Sequence, residues 1–320
     1  MTRAGLMLPF VLRRMARSVL VMLAVAFVAF ALGYRSAPLR DGGEAPGESS
    51  GFDDPFFLQY LRFLGKALQG DLGDSSLSEK PALEVIASQA LPTLELVLVG
   101  GILVVSVSVP VGARCASNPR GTFSRIAAWG SMAGECVPVF LTAIVLVYVF
   151  SVKLQWLPPS ERGEAMDLWG WKVGVPTLDG WRHLALPALA LSSAGLPFFV
   201  ALVRRETMKI QEREHVRFAR ARGLPVRYIR RIHVFRSALP AILSAGGAYW
   251  GFFLACAMVV ETVFRRQGLG LVLLEAARHS DVSLFAACLV VVGFLLVLAS
   301  LVADLARGLM DPPVRMAGRK

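Results

Sequence analysis

The residues of this chain best suited to act chemically are positive charges gathered in one segment. Residues 204–240 contain eleven Lys and Arg against three Glu, and long apolar runs flank them on both sides. Guanidinium groups in such a position bind anionic surfaces, either lipid headgroups or another protein. The chemistry predicted for this segment is therefore binding, not catalysis.

Residues that could do covalent or metal chemistry are scattered along the chain. The four His and four Cys show no spacing typical of a metal site or redox pair. The Gly65-Lys66 pair lacks the upstream glycine of a phosphate-binding loop. We expect no catalytic residue, no bound metal and no cofactor in this chain.

The composition predicts an integral membrane protein. Of 320 residues, 55% are hydrophobic, although the net charge is +11. Nucleic-acid binding is disfavoured because the arginines cluster beside apolar runs, where retention at an anionic leaflet explains them. Six runs are long enough for membrane-spanning helices, so the predicted fold is all-α with six spans: 18–34, 91–111, 126–152, 184–203, 238–260 and 282–303. We interpret the first run as a retained anchor, with a cleaved signal peptide as the alternative.

Charges between the runs predict the orientation. The segments before the first span, after the second, after the fourth and after the sixth are all rich in arginine, whereas residues 35–91 carry nine acids and five bases. Both termini are therefore predicted to be cytoplasmic. The expected divisions are an N-terminus with the first helix (1–34), an external segment (35–90), a five-helix core containing the basic segment (91–315) and a tail (316–320).

Two external features accompany the spans. Phe56, Tyr60 and Leu64 belong to an apolar set at helical spacing, which predicts an amphipathic helix on the membrane surface or on the bundle. The loop at 155–181 holds four of the six tryptophans, which is typical of anchoring at a membrane interface.

Within the basic segment, two helices are predicted to meet near Gly223. Val216, Ala219 and Gly223 share one face of the first helix. Small residues there would let another protein approach the backbone, but a basic amphipathic hairpin resting on lipid needs no such placement. From the residues alone, both alternatives stay open.

Several motifs together resemble the inner-membrane permease subunits of bacterial ABC importers, in the dipeptide, oligopeptide and nickel branch. Phe218 departs from this pattern, since a small residue is usual there, and so does the Arg265-Arg-Gln267 stretch. The matching segments cover most of residues 56–315: Ala219-Arg-Ala-Arg-Gly-Leu224, Leu239-Pro240, Gly70-Asp-Leu-Gly73, Leu91-Pro-Thr-Leu-Glu-Leu96, Ser151 to Ser160, Glu261-Thr-Val-Phe264, Gly268-Leu-Gly270 and Asp311-Pro312.

The resemblance implies a type I importer permease of the bacterial inner membrane, which moves di- or oligopeptides or a related small solute. It implies two ATP-binding subunits, where ATP hydrolysis occurs, together with a second homologous permease and a periplasmic solute-binding protein. A short cytoplasmic helix docks on the ATP-binding subunit in such proteins. By this resemblance, Val216, Ala219, Gly223 and Leu224 would form the close-approach surface, and Arg220 and Arg222 would be flanking charge contacts.

Two acids in apolar runs are candidates for the translocation pathway or its gate. Glu261 lies near the outer end of the fifth run and fits the family pattern. Glu135 lies in the third run, and we interpret it as close enough to the cytoplasmic interface to reach water or an arginine such as Arg125. A functional role at membrane depth is the alternative for Glu135.

Two other function classes compete with an importer subunit. A self-sufficient secondary transporter or channel would predict charge pairs at mid-depth and broken helices in matching halves. The last three runs carry no charged residue, which disfavours that class. A membrane-embedded enzyme would need polar residues converging from several spans, and the sequence offers none.

Overall fold

In the computed structural model, the fold is helical apart from one short hairpin. The described residues are 3–36, 55–159, 163, 166–168, 171–174, 177–225, 228–229, 234 and 236–310. The first part of the predicted external segment, residues 37–54, and the predicted tail at 316–320 lie outside them. The helices are α1 Arg3–Ser36, α2 Phe56–Leu68, α3 Ala82–Ser117, α4 Thr122–Cys136, α5 Val139–Leu146, α6 Leu178–Gln211, α7 Glu214–Ala221, α8 Arg236–Val263, α9 Leu269–Arg278 and α10 Val282–Met310.

Two further elements lie beside or within residues 155–181. The α5 helix continues as a π-helix over Val147–Lys153, and the hairpin pairs β1 Met166–Leu168 with β2 Trp171–Val173 in antiparallel register. The α3 helix begins at Ala82 and thus crosses the division predicted between residues 90 and 91. A single long helix forms there although Pro92 lies at the start of the second apolar run.

Four helices of the described part are long and apolar enough to cross a membrane. They are α1, through Met15–Leu32, α3, α6 and α10, through Val282–Ala303. The count rises to five if α4 and the following helix, which meet at 100°, form one broken span. Prolines inside the apolar runs predict bends at Pro138, Pro187 and Pro197, because proline lacks the N–H needed to continue the helical ladder. The bend at Pro138 is confirmed by the break between α4 and α5, whereas Pro187 and Pro197 lie inside the single helix α6.

The core lies where α3, α6 and α8 pack together. Leu96, Leu191 and Phe253 are buried there among other aliphatic side chains. Small residues permit the close packing: a Cβ on Gly112 would lie 2.7 Å from the Val203 side chain. Van der Waals contact at such glycines is what holds helices together where no hydrophobic effect operates between them.

The α2 helix packs across the outer half of α1. The Tyr60 hydroxyl donates to the Leu23 carbonyl at 2.9 Å, and the Tyr60 ring lies 5.5 Å from that of Phe27. Burial raises the pKa of the Tyr60 phenol, which suits a hydroxyl that acts as a hydrogen-bond donor. The amphipathic helix predicted for this segment is confirmed, with its buried face on the first span.

Asp281, between α9 and α10, anchors the external segment that follows α2. Its Oδ2 accepts from the Ser75 hydroxyl at 2.8 Å and from the Leu77 N–H at 3.1 Å, and the carboxylate is 1% exposed. The segment turns sharply at Gly70 and Gly73, which have φ of +83° and +84°. Glycine adopts this left-handed conformation without steric penalty, which accounts for both glycines of the Gly70-Asp-Leu-Gly73 motif.

Candidate functional site

The α7 helix, in the basic segment, is fixed to the ends of two long helices by its buried side. Val216 and Ala219 are 0% and 5% exposed. They belong to one apolar cluster with Val203 and Ile210 of α6 and Ala238 of α8. A displacement of α7 would therefore be passed directly to α6 and α8, because packed side chains transmit movement rather than absorb it.

The α7 helix ends in a Schellman motif. The Leu224 N–H donates to the Ala219 carbonyl at 3.4 Å, and the Gly223 N–H donates to the Arg220 carbonyl at 3.0 Å. Gly223 has φ of +74°, a conformation that this motif requires and that glycine adopts most easily. Among the described residues, no atom beyond the adjoining backbone lies within 4 Å of a Cβ built on Gly223, so this part of the chain leaves the turn uncovered.

The exposed side of α7 and its turn presents positive charge and apolar surface. Arg220, Arg222, Gly223 and Leu224 are exposed, and the Arg222 guanidinium lies 4.5 Å from the centre of the Phe218 ring. Phe218 is 60% exposed. A guanidinium stacked on an exposed ring suits contact with an acidic and partly apolar protein surface.

The six residues predicted to form the docking surface therefore divide into two sets. The expectation that Val216 and Ala219 offer an outward surface is corrected, since both side chains pack against the chain's own helices. Periodicity correctly grouped them on one face, but that face is the inner one. Arg220, Arg222, Gly223 and Leu224 are the four that a partner could reach.

Glu261, the first candidate pathway acid, is fully buried at the end of α8. Its Oε2 accepts from the Gly270 N–H at 2.7 Å, while the Thr93 hydroxyl accepts from the Leu269 N–H at 2.8 Å. These are N–H groups of the first turn of α9, which have no partner within their own helix. A Cβ on Gly268 would lie 2.4 Å from the Glu261 carboxylate, so the Gly268-Leu-Gly270 motif leaves room for it.

Beside Glu261 lies a buried ion pair that sequence reasoning missed. Arg266 Nη2 donates to Glu95 Oε2 at 3.1 Å, and Glu95 Oε1 accepts from the Gly174 N–H at 2.9 Å. Glu95 thus joins α3, the end of the hairpin and the turn between α8 and α9. The sequence contains two separate signals for this pair. Glu95 is the one acid in the second apolar run, and Arg266 lies in a stretch that departs from the family pattern.

Glu135, the second candidate, lies at the end of α4, just before the break at Pro138. A Cβ on Gly134 would lie 2.8 Å from the Pro197 ring of α6. Pro197 follows the middle of the 184–203 run by about one helical turn, or roughly 5 Å along the axis. The end of α4 that carries Glu135 is therefore level with a point about one helical turn from the middle of the 184–203 run.

The interpretation of Glu135 as an acid near the cytoplasmic interface stays a prediction, but Arg125 lies too far along α4 to pair with it. Arg125 precedes it by ten residues on one continuous helix, a separation of about 15 Å. No ion pair formed by the described residues involves Glu135, and its side chain is exposed. The linear sequence could not reveal this depth, because the 100° break changes how far each residue of the run extends into the membrane.

The described residues offer binding surfaces and membrane-embedded acids but no metal centre. No group of three or more His, Cys, Asp or Glu in this part of the chain could hold a metal ion. What the arrangement can do is pass a displacement of α7 to the bundle and present an exposed acid beside the break after α4. These are the parts of a transport protein driven from outside the membrane.

Comparison with known proteins shows which kind of transport protein this is. Residues 108–316 match the model of the binding-protein-dependent transport system inner membrane component. The chain belongs to this family. It is a permease subunit of an ATP-driven importer, a multi-pass protein of the bacterial inner membrane and not an enzyme, since ATP is hydrolysed on separate subunits of such importers.

Relatives match over nearly the whole permease. It is 28% identical to the oligopeptide transport system permease protein AppB of Bacillus subtilis, over 96% of this chain and 99% of the relative. It is 32% identical to a putative peptide permease protein of Brucella ovis, over 83% and 82%. The glutathione transport system permease protein GsiC of Salmonella paratyphi A is 29% identical, over 97% and 99%. Nothing in these matches favours a self-sufficient transporter or channel.

Proposed function

We propose that this permease imports peptides or a closely related small solute. The names of the relatives support this substrate class, since they describe oligopeptide, peptide and glutathione permeases. The proposed assembly contains this chain, a second homologous permease, two ATP-binding subunits and a periplasmic solute-binding protein. Family membership supports subunits of these kinds in general, and their number and pairing are part of the proposal.

The coupling surface is the exposed side of α7 and its terminal turn, formed by Arg220, Arg222, Gly223 and Leu224. This assignment of the coupling surface rests on the division of α7 into two sides. One side is buried and packs on α6 and α8, and the other is exposed and positively charged. ATP-driven closure of the nucleotide-binding subunits would move α7, and the buried Val216 and Ala219 would pass the movement to the spans. Two discrete arrangements of the bundle would then alternate access.

The proposed topology has six spans with both termini in the cytoplasm. The α8 helix supports a sixth span, since its 28 residues correspond to about 42 Å, more than the thickness of the hydrocarbon core. The bent pair formed by α4 and the following helix would be the third span. The concentration of arginine on one side of the spans supports the orientation.

Glu261 and Glu135 are proposed to act at different depths of the pathway. Glu261 would hold the first turn of α9 against the end of α8 and so shape the outer gate, as its hydrogen bond to the Gly270 N–H suggests. Glu135 would face the pathway near mid-depth.

Reconstitution tests the proposed function directly. The complete complex is placed in proteoliposomes, and uptake of labelled tri-alanine is followed with binding protein outside and ATP inside. We expect accumulation that requires both ATP and the binding protein. Uptake that persists without ATP would contradict an ATP-driven importer, and ATP-driven uptake of other solutes but not of peptides would contradict the substrate class.

A further inference from the structure

Glu135 occupies a position that an acid can hold only with a partner. Pro197, which Gly134 approaches closely, is followed by Phe198, whose ring stacks on that of Tyr249, the middle residue of the 238–260 run, with 4.3 Å between ring centres. An ionised side chain facing hydrocarbon at this depth is strongly unfavourable. No ion pair among the described residues involves Glu135.

The backbone beside Glu135 is also interrupted. The helix breaks between Cys136 and Val139 with a 100° change of direction. Interrupted helices at membrane depth occur where the backbone is covered by protein or lines a water-filled cavity, because freed polar groups need hydrogen-bond partners. Glu135 and Cys136 are both exposed at this break, so their side of it faces a cavity or another subunit.

Aromatic rings lie on the neighbouring helix. Tyr249 and Phe252 share a face of α8, with ring centres 5.1 Å apart, and Phe252 is 55% exposed. The Tyr249 hydroxyl donates to the Ala194 carbonyl at 2.6 Å, which fixes the ring in place. A carboxylate beside fixed aromatic rings is the combination that recognises an ammonium group.

We propose that Glu135 binds the cationic amine of the transported solute at the middle of the pathway. This inference rests on the proposed function, since the free amino terminus of a peptide supplies such an ammonium group. The exposed face around Glu135, Tyr249 and Phe252 lines the water-filled pathway. A solute without a positive charge would lose this contact.

A charge-rescue experiment tests the inference in the complete complex. Glu135→Cys is made together with Cys136→Ser, because the other three cysteines are buried. We expect uptake of tri-alanine to fall about tenfold or more, the loss of one charge-assisted contact. Reaction with negatively charged sulfonatoethyl methanethiosulfonate should restore most of it, and the positively charged trimethylammonium analogue should not. The Cys136→Ser protein alone is the control and should transport normally.

Several outcomes would overturn the inference. They are normal uptake by Glu135→Cys, equal effects of the two charged reagents, or reaction only with lipid-soluble N-ethylmaleimide, which would indicate that the side chain faces lipid. If the Cys variant does not assemble, Glu135→Asp and Glu135→Gln replace it. Asp should keep most of the uptake and Gln should lose it, and equal uptake by the two would overturn the inference.

The same assay separates this inference from the proposed function. If the wild-type complex takes up no tri-alanine, peptide import has failed and the inference falls with it. If wild-type uptake is normal and every Glu135 variant matches it, only the inference falls.

Discussion

The Arg266 guanidinium lies 3.1 Å from the Glu95 carboxylate, and the two side chains are 1% and 5% exposed. They are 171 positions apart in sequence and join α3 to the turn between α8 and α9. Burying two charges has a large desolvation penalty, so this pair contributes little net stability, but loss of one partner deprives the other buried charge of this contact.

Removing one partner should therefore destabilise the protein more than removing both. We expect Glu95→Gln or Arg266→Met to lower the free energy of unfolding by about 3–5 kcal/mol, and the double variant to lose clearly less than the sum. Gln at position 95 keeps an acceptor for the Gly174 N–H. The free energy of unfolding of each variant is measured by thermal or denaturant unfolding in detergent. Lys80→Gln is the control, since the exposed Lys80–Glu84 pair should contribute less than about 1 kcal/mol. If the loss in the double variant equals the sum of the two single losses, Glu95 and Arg266 are not coupled.

Asp281 should be required to hold the external segment in place. We expect Asp281→Ala to lose about 2–3 kcal/mol, because it removes the acceptor of the Ser75 hydroxyl and one of the two acceptors of the Leu77 N–H. Limited proteolysis should then cut more rapidly between residues 71 and 81. Ser88→Ala is a control, since its exposed hydroxyl bonds only within its own helix. Unchanged proteolysis of Asp281→Ala would show that other contacts anchor the segment.

Gly268 should tolerate no side chain. A Cβ there would lie 2.4 Å from the Glu261 carboxylate, so Gly268→Ala forces Glu261 or α9 to shift, and we expect a loss of about 1–3 kcal/mol. Gly65→Ala is a matched control within α2. No atom lies within 4 Å of its Cβ, and we expect that substitution to stabilise the helix by about 0.5–1 kcal/mol. Equal effects of the two substitutions would mean that the contact with Glu261 is not restrictive.

Glu261→Gln separates charge from shape at the proposed outer gate. The amide can still accept from the Gly270 N–H, so we expect folding to be preserved, while the number of tri-alanine molecules taken up per ATP falls. Uptake and ATP hydrolysis are measured in the same proteoliposomes. If transport, coupling and folding are all unchanged, Glu261 has no role in the gate.

The sequence alone allowed much of the local structure to be predicted. The apolar spacing from Phe56 correctly indicated α2, Pro138 indicated a bend, and Gly223 indicated the end of a helix. Each of these depends on a few neighbouring residues. The chemistry of helix ends and breaks is local, so one chain suffices to predict it.

Long-range placement could not be predicted in this way. Periodicity grouped Val216 with Ala219 but could not tell that α6 and α8 cover that face. The depth of Glu135 depends on a 100° bend and on contact with α6, neither of which appears in a linear run of apolar residues. The pairing of Glu95 with Arg266 depends on the packing of α3 against a distant turn.

The central claim is that the exposed side of α7 couples this permease to its ATP-binding subunits. The most direct measurement is co-purification of those subunits with Arg220→Glu/Leu224→Glu, a variant that changes exposed side chains and leaves the buried Val216 and Ala219 intact. Lys80→Glu, an exposed charge reversal at the other end of the molecule, is the control. We predict that the double variant folds normally, retains at most about a tenth of the bound subunits, as expected for loss of contacts at an interface centre, and takes up no tri-alanine. Undiminished co-purification and uptake would contradict the account.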